Sequence, residues 1–114
     1  MNHHLSGLSA WLVQRLSAVY MALFSVTVLL WWFSTPAPDF AAWRGLFARP
    51  LVGVAVAMFF LALLLHAWVG IRDVILDYAG RLPGLRLFLL ALLGGWLIAE
   101  GFWILRILLA GMAL

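Results

Sequence analysis

Cysteine is absent from this chain of 114 residues. Disulfides, iron–sulfur ligation and a thiol nucleophile are therefore excluded for it. Lysine is absent as well, so all seven basic side chains are arginines, set against four acids. They are scattered along the chain without a basic patch, which gives no surface for nucleic acid. Charge of either sign is scarce, at 10% of residues where soluble domains carry roughly a quarter. The polar–apolar alternation of transmembrane β-strands is also missing. No repeat and no low-complexity tract is present.

What remains is 68% hydrophobic, far more apolar surface than so short a chain can enclose in a water-soluble core. Continuous apolar runs extend from about Leu12 to Phe33, from about Leu51 to Ile71 and from about Leu85 to Leu109. Each exceeds the roughly 20 residues that cross a bilayer core as a helix. The expected architecture is an all-α membrane protein, one domain over 1–114 with three transmembrane helices, the second continuing to about Tyr78. Pro36 and Pro38 end the first helix, and the segment from Ala79 to Gly84 with Pro83 ends the second, because proline removes a donor and disfavours helix before it. Trp31, Trp32, Trp43, Trp68 and Trp103 fall toward helix ends or linkers, as an aromatic belt would place them. About 18 apolar residues follow Arg15, more than the roughly 7–15 of a cleavable signal core, so the first span reads as a retained helix. Three spans put the termini on opposite sides. Arg15, Arg72, Arg81 and Arg86 share one side and Arg44, Arg49 and Arg106 the other, which favours a cytoplasmic N-terminus.

One imidazole interrupts the second run. His66 is the sole histidine inside a hydrophobic segment; His3 and His4 lie at the N-terminus. Ionisable groups at membrane depth are functional candidates by default, and neutral imidazole is the commonest metal ligand. Ala62, Gly70, Asp73 and Asp77 follow at steps of three and four, so they share its helical stripe. Ala62 and Gly70 are small enough for a flat macrocycle, or another helix, to approach the backbone. The bland alternative is a helix–helix hydrogen bond, worth about 0.6 kcal/mol on average in membranes. A haem with two histidine ligands would need a second imidazole from another chain.

Further polar residues close the second helix: Arg72, Asp73, Asp77, Tyr78 and Arg81. They read either as a solvated helix end or as a polar pocket at the membrane edge, where Tyr78 and Asp77 would bind a quinone carbonyl. On the third span, Glu100 reads as a hydrogen-bonded residue facing a partner helix or as a proton-relay carboxylate. Arg106 snorkels to the interface. Ala91, Gly94 and Gly95 mark a close-packing face.

The string His66-Ala67-Trp68-Val69-Gly70, followed at a fixed distance by Asp77-Tyr78, resembles the hallmark of the small hydrophobic membrane anchors of succinate dehydrogenase. Leu12-Val13-Gln14-Arg15 is similar to the motif that opens their first helix, and Arg72 and Asp73 depart from the pattern by carrying charge. The resemblance implies half of a heterodimeric haem-binding helix bundle in a bacterial cytoplasmic (inner) membrane. His66 would be one axial ligand of haem b, with the other supplied by a second membrane anchor, a cytochrome b subunit. Tyr78 would hydrogen-bond ubiquinone, supported by Asp77, and Arg15 would lie near the haem propionates or the quinone pocket, with Ala62 and Gly70 in the haem's vicinity. A flavoprotein subunit and an iron–sulfur subunit would oxidise succinate, leaving this chain a non-catalytic subunit that helps pass electrons to quinone. Two other readings stay open: a fumarate reductase-type or other respiratory anchor without haem, and a small proton-coupled transporter using Glu100.

Overall fold

The computed structural model describes residues 3–112, with side chains described over 7–111. The described residues form four helices and no strand: α1 (His3–Ser34), α2 (Phe40–Phe47), α3 (Pro50–Ala79) and α4 (Pro83–Met112). α1, α3 and α4 are long and apolar enough to cross a membrane. Helices suit that solvent because they satisfy every backbone donor and acceptor within the segment. Each outruns its apolar core by several residues, giving a molecule 54 Å long and 25 Å across.

Local chemistry sets the boundaries. α1 ends at Ser34, whose hydroxyl donates back to the Trp31 carbonyl (3.0 Å), ahead of Pro36 and Pro38. Between those prolines Ala37 is held at φ 42°, a left-handed conformation that costs a residue with a Cβ about 1–3 kcal/mol. α3 opens on Pro50, where the missing N–H would have no intrahelical partner anyway. It ends before Gly80, where an added Cβ would run into the Leu76 carbonyl oxygen. Three residues later Pro83 opens α4, so α3 and α4 form a tight antiparallel hairpin.

α2 lies between the first two spans, where the expectation of three helices placed none. Asp39 is its N-cap, accepting a hydrogen bond from the Ala42 amide (2.9 Å) and satisfying one of the orphan donors of the first turn. The helix packs on α3 and α4. Trp43 lies 4.7 Å from Trp31, 5.5 Å from Trp32 and 5.8 Å from Phe47, centroid to centroid. Three of the five expected belt tryptophans thus form one cluster at this end. Trp103 is exposed, with the Arg106 guanidinium 5.9 Å from its ring centroid. Trp68 departs from the belt: it is half-buried and packs toward Gly94 on α4.

α3 is the middle of the layer. It packs along both α1 and α4, which share no close backbone contact with each other. The buried apolar residues accordingly sit on α3, at Val56, Val69 and Ala79. The α3–α4 seam is built on glycine. A Cβ at Gly94 would meet the Trp68 ring at 3.6 Å, and one at Gly101 the Leu64 side chain at 3.4 Å. Gly95 faces open space, so only half of the expected glycine pair serves this seam. Gly101→Leu should therefore push α4 off α3, at roughly 1–3 kcal/mol for an overpacked contact, whereas Gly95→Leu should leave the pairing intact. Crosslinking of cysteines placed on α3 and α4 in membranes would report both, and equal effects of the two changes would contradict this packing.

Candidate functional site

Polar groups are nearly absent from the helix seams, with one exception. Gln14 and Ser17, three residues apart, present side chains on the face of α1 that meets α3. Opposite them stands His66. Ser17 is 7% exposed, which demands hydrogen-bond partners for its hydroxyl. Its proton goes to the main-chain carbonyl of Gln14 (3.1 Å). Its oxygen lies 3.1 Å from His66 Nδ1.

This geometry suits one tautomer. A hydroxyl has one proton and lone pairs to accept with. With its proton on the Gln14 carbonyl, Ser17 can accept from an imidazole hydrogen on Nδ1. In that tautomer Nε2 bears a lone pair. The Gln14 carboxamide nitrogen approaches it at 3.4 Å, a long contact for a hydrogen bond. The Gln14 side-chain oxygen is buried without a partner among the described residues. One end of the ring is thus firmly held and the other only lightly occupied.

His66, Gln14 and Ser17 are joined further along the seam by an aromatic block. The Tyr20 hydroxyl donates to the Ala55 carbonyl (2.7 Å), and Phe24 stacks on Phe59 at 4.6 Å. Toward the other end the helices part around a cleft of about 660 Å³, within the roughly 300–1,000 Å³ of small-molecule and cofactor sites. Small residues line it beside His66 and Gln14, namely Gly7, Ala10, Ala18 and Gly70. A Cβ at Gly70 would meet the Gln14 amide at 3.4 Å, so the glycine lets the two helices and their polar groups converge. Charged residues complete the lining: Arg15, whose guanidinium lies 5.7 Å from the Trp11 ring centroid, and the Arg72–Asp73 ion pair at 2.9 Å.

The expected site residues fall into two sets. His66, Arg15 and Gly70 line one cleft; Ala62 does not line it. Asp77 and Tyr78 are on α3, which does run past them, but they are exposed and lie off the cleft, Tyr78 at 88%. Glu100 is half-buried on α4 and also lies off it. Arg72 and Asp73, expected as a departure from the motif, sit on the cleft itself. Ser17 and the Gln14 side chain are the residues that sequence reasoning missed. The available signal was their i, i+3 spacing in an apolar run, the same argument that singled out His66.

Among the described residues, no group of three or more His, Cys, Asp or Glu side chains converges. A bare metal ion wanting three or four protein ligands has no site in them. Haem makes a smaller demand, because the macrocycle fills four positions and the protein supplies axial ligands. A single imidazole on the lining of a cleft of small residues, with arginine alongside, fits that demand.

Comparison with known proteins bears on the chain as a whole. A model of the family described as succinate dehydrogenase/fumarate reductase transmembrane subunit matches residues 1–102. The succinate dehydrogenase hydrophobic membrane anchor subunit of Coxiella burnetii (strain RSA 493 / Nine Mile phase I) is 26% identical over 77 residues, which cover 68% of this chain and 67% of that relative.

Proposed function

This chain belongs to the family of succinate dehydrogenase/fumarate reductase transmembrane subunits, and from that premise we propose that it is the membrane anchor of a succinate dehydrogenase, ligating haem b through His66 and completing a quinone site with Tyr78 and Asp77. The observation that carries the reading is the imidazole at 66, held at Nδ1 by a buried hydroxyl and lining a cleft of small residues. Haem when bound there supplies a one-electron relay. Everything else is the work of the chain's own groups. His66 presents the ligating nitrogen. Gly70 and its small neighbours allow close approach to α3. Arg15 is a cation free to pair with a propionate, since its recorded neighbour is a ring rather than an acid.

The second axial ligand comes from a partner anchor, a cytochrome b subunit, because the described side chains hold one imidazole. The exposed outer faces of α1 and α4, with large apolar residues such as Leu16, Leu23, Leu92 and Phe102, leave room for such helices. Flavoprotein and iron–sulfur subunits dock at the end where Arg72, Arg81 and Arg86 gather, which the arginine balance makes the cytoplasmic side of a bacterial inner membrane.

Tyr78 and Asp77 belong to the same end. They lie on the helix that carries His66, about 18 Å away along its axis at 1.5 Å per residue. Reduction of a quinone takes up two protons with its two electrons, so its site belongs near water, where α3 ends. Tyr78 projects free of this chain, its hydroxyl available to donate to a quinone carbonyl, and Asp77 beside it supplies a carboxylate to orient that donor or to pass a proton. The site is closed by the partner subunits.

Two measurements on the purified complex test the two halves separately. His66→Leu should abolish or strongly perturb the low-spin b-type reduced-minus-oxidised spectrum; an unchanged spectrum and midpoint potential would remove His66 as a ligand. Tyr78→Phe keeps the ring and deletes one donor, a net loss of roughly 0.5–1.5 kcal/mol and more where a buried acceptor is left unpaired. Quinone reduction should then fall about tenfold, the factor that corresponds to about 1.4 kcal/mol. Asp77→Asn should act in the same direction, with the haem spectrum preserved in both variants. Succinate oxidation with an artificial acceptor upstream of the membrane should stay intact. Wild-type quinone turnover in Tyr78→Phe would make this tyrosine an interface anchor only.

A further inference from the structure

Ser17 is the one buried polar residue among the described residues, and the haem reading so far gives it no task. Its position is costly: a hydroxyl taken out of water needs its hydrogen bonds made, and in a helix interior serine is a weaker helix former than alanine. Packing alone would be served as well by alanine. What the hydroxyl does is specific. It sends its proton to the Gln14 carbonyl at 3.1 Å, which turns its lone pairs toward α3, and there it meets His66 Nδ1 at 3.1 Å.

We propose that Ser17 is a positioning residue for His66, holding the ring in the Nδ1–H tautomer so that Nε2 is the nitrogen left to ligate, and setting the electron density that the imidazole would offer to a haem iron. The inference rests on the haem reading above and extends it to a residue on another helix. Its physics is that of an outer-shell partner. A ligating imidazole that donates its other N–H to an acceptor is fixed in orientation and made more basic. A more basic axial ligand favours the ferric over the ferrous ion, because it donates better to the higher charge. Ser17 therefore lowers the haem reduction potential and restricts rotation of the imidazole plane about its bond to iron. The Gln14 carbonyl matters as much as the hydroxyl: it is main chain, always present, and it gives the serine proton an acceptor other than Nδ1.

The test is a redox titration of the haem in the intact complex, with the ferric electron paramagnetic resonance signal as a second readout. In Ser17→Ala the Nδ1–H loses its acceptor. The ratio of oxidised to reduced haem at a fixed ambient potential should fall about threefold, a rise of about 28 mV given about 59 mV per tenfold for one electron, and the low-field g value should move as the ring turns. Ser17→Thr keeps the hydroxyl on the same carbon and should return both quantities toward wild type. If Ser17→Ala does not assemble, Ser17→Cys takes its place: near in shape and a weak acceptor, it should also raise the potential. An unchanged potential and g value in whichever of these two variants assembles overturns the proposal, as does a threonine variant that behaves like alanine. His66→Leu separates the two levels of inference. If it loses the haem signal while Ser17→Ala titrates as wild type, the ligand stands and the positioning role falls. If it keeps the wild-type signal, both fall together.

Discussion

α3 has to serve two neighbours that never meet. In a closed bundle each helix buries one stripe against a shared core. Here α1 and α4 pack against α3 without touching each other, α2 adding a short contact to α3 and α4 at one end, and α3 carries the small and buried positions, among them Gly53, Val56 and Val69, that let it be approached from both sides. The outer faces of α1 and α4 keep their large apolar residues exposed. A soluble protein with contiguous apolar faces of that size would aggregate. In hydrocarbon the same faces cost nothing until lipid tails or further helices cover them. The open layer is therefore the shape of a membrane chain whose neighbours complete it.

The two seams divide the labour. Along α3–α4 the contact is dry and shape-driven, with glycines set against Trp68 and Leu64, the means by which helices associate where no hydrophobic driving force separates them from lipid. Along α1–α3 an aromatic block of Tyr20, Phe24 and Phe59 gives way to Gln14, Ser17 and His66 and then to the cleft. All the chemistry of this chain that involves α1 lies on that second seam. Its charged lining residues, Arg15, Arg72 and Asp73, lie toward the end where α3 leaves the hydrocarbon and Tyr78 and Asp77 are exposed. Haem ligation and quinone binding, as proposed, are thus deep and shallow stations on one helix.

Much of this was legible in the sequence, for reasons that can be named. Long uncharged runs can only be spanning helices, and proline pairs punctuate them. His66 stood out because nothing around it was polar. Gly70 followed from helical spacing. α2 was missed because a helix of eight residues gives too short a pattern to outweigh two flanking prolines, although Asp39 before Phe40 was a readable N-cap. Trp68 was misplaced because a tryptophan near a helix end reads as an interface anchor, while its true partner, Gly94, is decided by the α3–α4 register. Ser17 and Gln14 were passed over for the same cause: residues on α1 acquire meaning only once α1 is set against α3. Asp77 was joined to His66 by the stripe and Tyr78 by the family resemblance, but the cleft ends at Arg72 and Asp73, and what lies beyond needs other chains.

The polar cluster also answers how α1 finds its register. Two apolar helices in lipid can slide by a turn with little change in dispersion energy, since tails replace side chains. A hydrogen bond between them contributes only about 0.6 kcal/mol on average, too little to hold the pair together. Specificity is another matter. A slide of one turn, about 5.4 Å, would take Ser17 away from Nδ1 and leave an imidazole N–H facing apolar surface, at roughly 1–3 kcal/mol for the unsatisfied group, while the serine keeps its bond to the Gln14 carbonyl of its own helix. The penalty for the wrong register thus exceeds the gain in the right one. A single buried polar contact fixes which residues of α1 face His66, and so fixes where Arg15 stands along the cleft.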